Sequence, residues 1–267
     1  MLGKLLKYDL KYGSRFFILL HGILLAACIL GRLLFFERLD FDAGSDIIAP
    51  YIILATSLYV LLFTAVSLGT AALLAVRFYR NLFTDEGYLS WTLPATPVEQ
   101  LWAKLFSGTI WYILDILILA LSLVILLSGS NLTAAYAKVA PEITEALGMP
   151  LGRYGTMLLV FTLLSSFSGT VTIYVCISIG QLFPSHRVLC AILTYFITSA
   201  VIQIVVLGLM VIFNLFPGPY INDAATETDT VQYLFTTLKL SGVINFVLTI
   251  VEYFATRYIF IRKLNLT

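Results

Sequence analysis

Six stretches of this chain are long and apolar enough to cross a bilayer: residues 16–36, 47–76, 105–128, 155–180, 188–216 and 240–260. A helix needs about 20 apolar residues to traverse the ~30 Å hydrocarbon core. Lipid leaves a backbone no water to bond, so spanning segments must satisfy their own peptide groups. None of the six alternates in the two-residue period of a barrel strand, which leaves helices. Composition agrees, with 60% hydrophobic and 12% charged residues in 267 and a mean hydropathy of +0.97. A soluble domain carries about 25% charge. The expected fold is an all-α integral membrane protein with six transmembrane helices in one domain, 1–267.

Six crossings place both termini on one side, and Lys and Arg choose it. Lys4, Lys7, Lys11, Arg15, Arg77, Arg80, Lys104, Arg187, Arg257, Arg262 and Lys263 fall on one side of the six-span pattern. Arg32, Arg38, Lys138, Arg153 and Lys239 fall at or near the other. Cationic loops stay in the cytoplasm, so N-in/C-in is expected. The net charge of +1 argues against a nucleic-acid partner.

In residues 1–15, Leu2, Leu5, Leu6 and Leu10 share one helical face, and Lys4, Lys7 and Lys11 occupy another. That pattern predicts an interfacial amphipathic helix ahead of the first span. "LLAAC", residues 24–28, looks like a lipoprotein cleavage box, but its apolar run is longer than a signal core and predicts a retained helix. Cys28, Cys176 and Cys190 lie within or beside apolar helices without CxxC spacing, and read as packing residues. The outer loops are acidic at 37–46 and contain, at 128–154, a short helix broken by Pro141. After "FPGPY", residues 216–220, a short re-entrant or interfacial helix is expected before Lys239.

The segment between spans two and three, "TDEGYLSWTLPATPVE" (84–99), is more elaborate than a connector requires. Thr84 can cap a helix whose first turn holds Asp85 and Glu86, where carboxylates complement the dipole. Pro94 turns Leu93 away from helical angles, so this helix has at most about nine residues. "TPVE", residues 96–99, has the form of a capping box with Pro97 at the first helical position, and starts the third span. A helix this short needs a packing partner. Tyr88, Leu89, Trp91 and Leu93 supply the apolar surface.

Chemistry-bearing motifs are scarce. There is no GxxxxGK[ST] phosphate loop and no HExxH, and the two histidines, His21 and His186, do not form a zinc pattern. "SFSG", 166–169, superficially matches an intramembrane-protease serine motif, but its leading glycine is absent and no histidine follows His186 to act as base. It reads instead as small-residue helix packing. No catalytic or metal-binding set is expected. Two carboxylates, Asp115 and Glu252, lie deep in spans, where charge is costly and faces either a structural partner or a pathway.

Taken together, the chain resembles a small ABC-2-type permease, the membrane half of a bacterial ATP-driven exporter. The likeness covers the whole chain and is sharpest in "DEGYLSWTLPATPVEQLWAK", similar to that family's acidic–Gly–x–Leu…Leu-Pro-x-Thr/Ser-Pro…Lys pattern. The resemblance implies that Asp85, Glu86, Gly87, Tyr88, Leu89 and Trp91 belong to a coupling helix that docks on a separate ABC ATPase, with Pro94 and Pro97 setting its angle. It implies ATP and Mg on that partner rather than on this chain. It further implies a second permease chain, identical or a sister, in the bacterial cytoplasmic membrane. Amphipathic or antimicrobial peptides are among the substrates of similar exporters. The alternative is an ion-coupled secondary transporter using Asp115 and Glu252.

Overall fold

The computed structural model describes residues 1–38, 45–213 and 227–262. Eight α-helices and one 3-10 turn account for almost all of them: α1 (Leu2–Leu34), the turn Phe36–Arg38, α2 (Ser45–Phe83), α3 (Asp85–Trp91), α4 (Pro97–Leu127), α5 (Ser130–Leu147), α6 (Leu151–Gly180), α7 (Arg187–Ile212) and α8 (Glu227–Arg262). Six of them, all but α3 and α5, are long and apolar enough to cross a membrane. The chain is an all-α, multi-pass membrane protein.

Side-chain pairs fix how the helices run. Asp9 meets Lys104, His21 meets Asp115, and Arg32 meets Ser128, so α1 and α4 lie side by side and parallel. Ser168 meets Asn245 and Thr172 meets Glu252, which makes α6 and α8 a second parallel pair. α2 runs against the first pair, with Tyr59 bonded to the carbonyl of Leu119 and Phe78 stacked on Tyr174. The start of α1, the end of α2, all of α3, the start of α4 and the ends of α6 and α8 therefore gather at one end of the bundle. The largest buried cluster is there, built from Phe78, Leu82, Leu101, Leu105, Tyr174 and Phe260 among others.

Two glycines set close approaches. A Cβ on Gly108 of α4 would lie 2.6 Å from Thr170 Cγ2 and 2.8 Å from the Tyr174 hydroxyl. One on Gly180 would lie 2.7 Å from the Arg187 carbonyl, where α6 turns tightly into α7. All three cysteines are free thiols, two of them buried.

Three expectations change. Residues 1–15 are not a separate helix, because α1 runs unbroken for 33 residues. At 1.5 Å per residue that is ~50 Å, well beyond the ~30 Å core. No proline interrupts it, and Asp9 is held in the protein interior, so the turn that carries it is packed against the bundle. Pro141 does not break α5, which passes through it to a left-handed Gly148 (φ 64°). Proline removes one rung and crowds one carbonyl, a cost borne here within a continuous helix. Residues 227–239 belong to α8 and not to a separate helix. "FPGPY" and the remainder of 214–226 lie outside the described residues, as does most of the acidic loop 37–46.

Candidate functional site

The segment 84–99 folds into the short helix and the capped start of α4 that its local chemistry predicts, except that the Thr84 side chain does not cap α3. α3 has seven residues, and Thr84 stands at its N-cap with extended backbone. Its hydroxyl turns back to donate to the Arg80 carbonyl (2.6 Å) and leaves the first turn to the Thr84 carbonyl, which accepts from the Gly87 N–H. The capping box at α4 is complete: Thr96 Oγ1 accepts from the Glu99 N–H, and Glu99 Oε2 accepts from the Thr96 N–H at 2.9 Å. Pro97 occupies the first turn, where a missing N–H costs nothing.

α3 has two faces with different duties. Gly87 is buried against the end of α2: an added Cβ would sit 2.7 Å from the Leu82 carbonyl carbon and 2.8 Å from its oxygen. Trp91 also turns inward, donating its indole N–H to the Leu82 carbonyl (3.0 Å) and packing on Phe260 of α8. Ser90 accepts from the Gln100 side chain (2.8 Å), and Glu86 pairs with Arg80. These contacts clamp the short helix to α2, α4 and α8. Tyr88 and Leu89 point the other way and are 70% and 69% exposed, with Leu93 and Pro94 exposed beside them. Trp91 is thus part of the clamp, whereas Tyr88 and Leu89 form the free face.

Directly behind this loop lies an ion cluster. Asp9 Oδ1 accepts from Lys104 Nζ (2.5 Å) and from Arg77 Nε (3.0 Å), and Arg77 also stacks over the Tyr12 ring at 3.7 Å. Asp9 and Lys104 are 7% and 8% exposed. The Lys104 carbonyl accepts from the Tyr174 hydroxyl, which draws in α6. A cavity of about 310 Å³ joins this cluster to Ser90, Leu93 and Gln100 of the loop. Charge patterning alone assigns Arg77 and Lys104 to topology and passes over Asp9. The signal available was its position: Asp9 lies one turn after Leu5 on the otherwise apolar face of α1. Three of the cationic residues at this end therefore bind carboxylates of this chain, Lys104 and Arg77 on Asp9 and Arg80 on Glu86. Lys4, Lys7, Lys11 and Arg15 are exposed.

Asp115 and Glu252 are both buried but do not share a site. Asp115 Oδ1 meets His21 Nε2 at 2.9 Å between α4 and α1, beneath the Phe17–Trp111 stack. Glu252 Oε2 accepts from Thr172 Oγ1 (2.7 Å) between α8 and α6, while its Oε1 has no hydrogen-bond partner. The serines of "SFSG" are committed to the helices as well: Ser166 donates to the Leu163 carbonyl and Ser168 to Asn245.

No protein-family model, no curated protein and no solved structure matches this chain.

Proposed function

We propose that this chain is the membrane-spanning subunit of an ATP-driven exporter of the ABC-2 type, with α3 as the element that docks on a separate ATPase. The observation carrying this reading is the division of labour within seven residues. Gly87 and Trp91 lock α3 across the end of α2, and Tyr88 and Leu89 stand free on its outer face. A short helix presenting a few large apolar residues suits helix-in-groove recognition, in which a few anchors dominate the energy. Asp85 flanks the face with negative charge, Glu86 being paired with Arg80, and Lys4, Lys7, Lys11 and Arg15 on α1 lie at the same end of the bundle, consistent with a cytoplasmic location.

On this reading ATP and Mg reside on the partner, and the path is built with a second permease chain in the bacterial cytoplasmic membrane. An amphipathic peptide is the proposed passenger. The deciding experiment is co-purification of the chain with the ABC ATPase of its own genome. Tyr88→Ala combined with Leu89→Ala should lower association at least ten-fold and uncouple ATP hydrolysis from export. Both side chains are exposed, so thermal stability should stay within ~0.5 kcal/mol of wild type. Unchanged association in a well-folded double variant would end the docking assignment.

A further inference from the structure

The α6–α8 pair carries a groove that the docking end does not use. It encloses about 550 Å³, within the range of small-molecule sites (about 300–1,000 Å³). It runs along α8 from Gly242 to Phe254, twelve residues or ~18 Å of helix, comparable to one leaflet of the ~30 Å core. Trp102, Phe167 and Tyr253 form its aromatic wall near the clustered end of the bundle, and Phe161 closes against Gly242 at the other. Among the described residues, no Lys, Arg, Asp or Glu lines it.

Its floor is polar. Ser168 and Thr249, both 8% exposed, lie in hydrogen-bonding contact at 2.7 Å, and Ser168 donates to Asn245 Oδ1 at 3.2 Å. That leaves the Asn245 amide nitrogen lining the groove with both N–H groups unpartnered among the described residues. In hydrocarbon there is no water to take those donors, and an unmet amide is costly. Lipid tails offer no acceptor. Asn245 sits eight residues, ~12 Å, from Tyr253 along the helix, which is deeper than the ester level of a bilayer phospholipid anchored at that end.

We propose that this groove binds an amphiphile with a long apolar body that carries an uncharged hydrogen-bond acceptor partway along it, placed on Asn245. The body lies against the aromatic wall, and the acceptor takes the hydrogen bonds that the Asn245 amide offers. The site rests on the groove alone and stands whether or not α3 docks an ATPase.

The test uses the purified full-length chain in detergent and three probes: the monoglyceride of 10-oxostearic acid, the monoglyceride of stearic acid, and stearoyl-oleoyl phosphatidylglycerol. Affinities are read by native mass spectrometry. Wild type should bind the oxo probe roughly ten-fold more tightly than the plain monoglyceride, the worth of about one net hydrogen bond. Asn245→Leu should erase that preference, and Gly242→Leu, whose added Cβ already meets Phe161 at 3.2 Å, should weaken both monoglycerides. Size-exclusion profiles report whether each variant folds, and the wild-type comparison decides the matter without them. Equal affinity for the two monoglycerides overturns the proposal. Preferential retention of the phospholipid overturns it too, by making the groove an ordinary lipid seat.

Discussion

The two parallel helix pairs bury acidic groups in opposite ways. In α1–α4, Asp9 is answered by Lys104 and Arg77, and Asp115 by His21. In α6–α8, Glu252 is answered by one threonine hydroxyl, and one of its oxygens has no hydrogen-bond partner. A buried ion pair is an electrostatic commitment, because removing one member strands the other in a low-dielectric interior. A carboxyl held by a hydroxyl makes no such demand, since an uncharged carboxyl or amide fills the same place. The first pair is therefore a lock behind the 84–99 loop, and the second is a seam of hydroxyl and carboxyl hydrogen bonds beside a groove.

The sharpest break would be Asp9→Leu, which leaves two cations facing each other. A loss of about 3–5 kcal/mol is expected, seen as a large fall in Tm in detergent or as lost monodispersity. Asp9→Leu with Lys104→Met should recover part of it, and an unaltered Tm in the single variant would mean that the cluster is not a lock. Gly87→Ala comes next, because its methyl meets backbone and not a side-chain tip. Overpacking of this kind costs about 1–3 kcal/mol. It should appear as faster proteolysis within 84–99, and wild-type protection there would show that α3 is not clamped.

Asp115→Leu follows at about 1–3 kcal/mol, the penalty of orphaning the buried His21. Asp115→Asn should retain most of the stability, because an amide oxygen can still accept from the ring. The smallest effect is expected for Glu252→Gln, under about 1 kcal/mol, as the Thr172 contact survives. A Tm drop for Glu252→Gln matching that of Asp9→Leu would erase the contrast between the pairs and would point to a hidden countercharge.

Much of the architecture is legible in the sequence because it is local. Each spanning helix satisfies its own backbone, and hydropathy counts the thickness it must cover. The Thr96–Glu99 box and Pro97 act over three residues, and the seven-residue α3 ends before Pro94 as the proline rule requires. Local signals also misled where they conflicted with packing. The lysine stripe of 1–15 reads as a helix of its own, yet α1 runs unbroken through it and Asp9 is buried against α2 and α4. By residue type Trp91 groups with Tyr88 and Leu89, and only the position of the Leu82 carbonyl and Phe260 separates it from them.

By itself, then, the chain of side chains determined six helical crossings, the breaks around α3 and the surplus of cations at one end. Each follows from the cost of exposing peptide groups to lipid and from steric rules acting within one turn. Tertiary structure decided which charges meet. Asp9 and Lys104 are 95 residues apart, His21 and Asp115 94, and Thr172 and Glu252 80. Their pairing depends on the order of helices around the bundle and on the rotation of each about its axis. Hydropathy is blind to both, because a helix turned by a third of a revolution is equally apolar and crosses the same thickness of lipid.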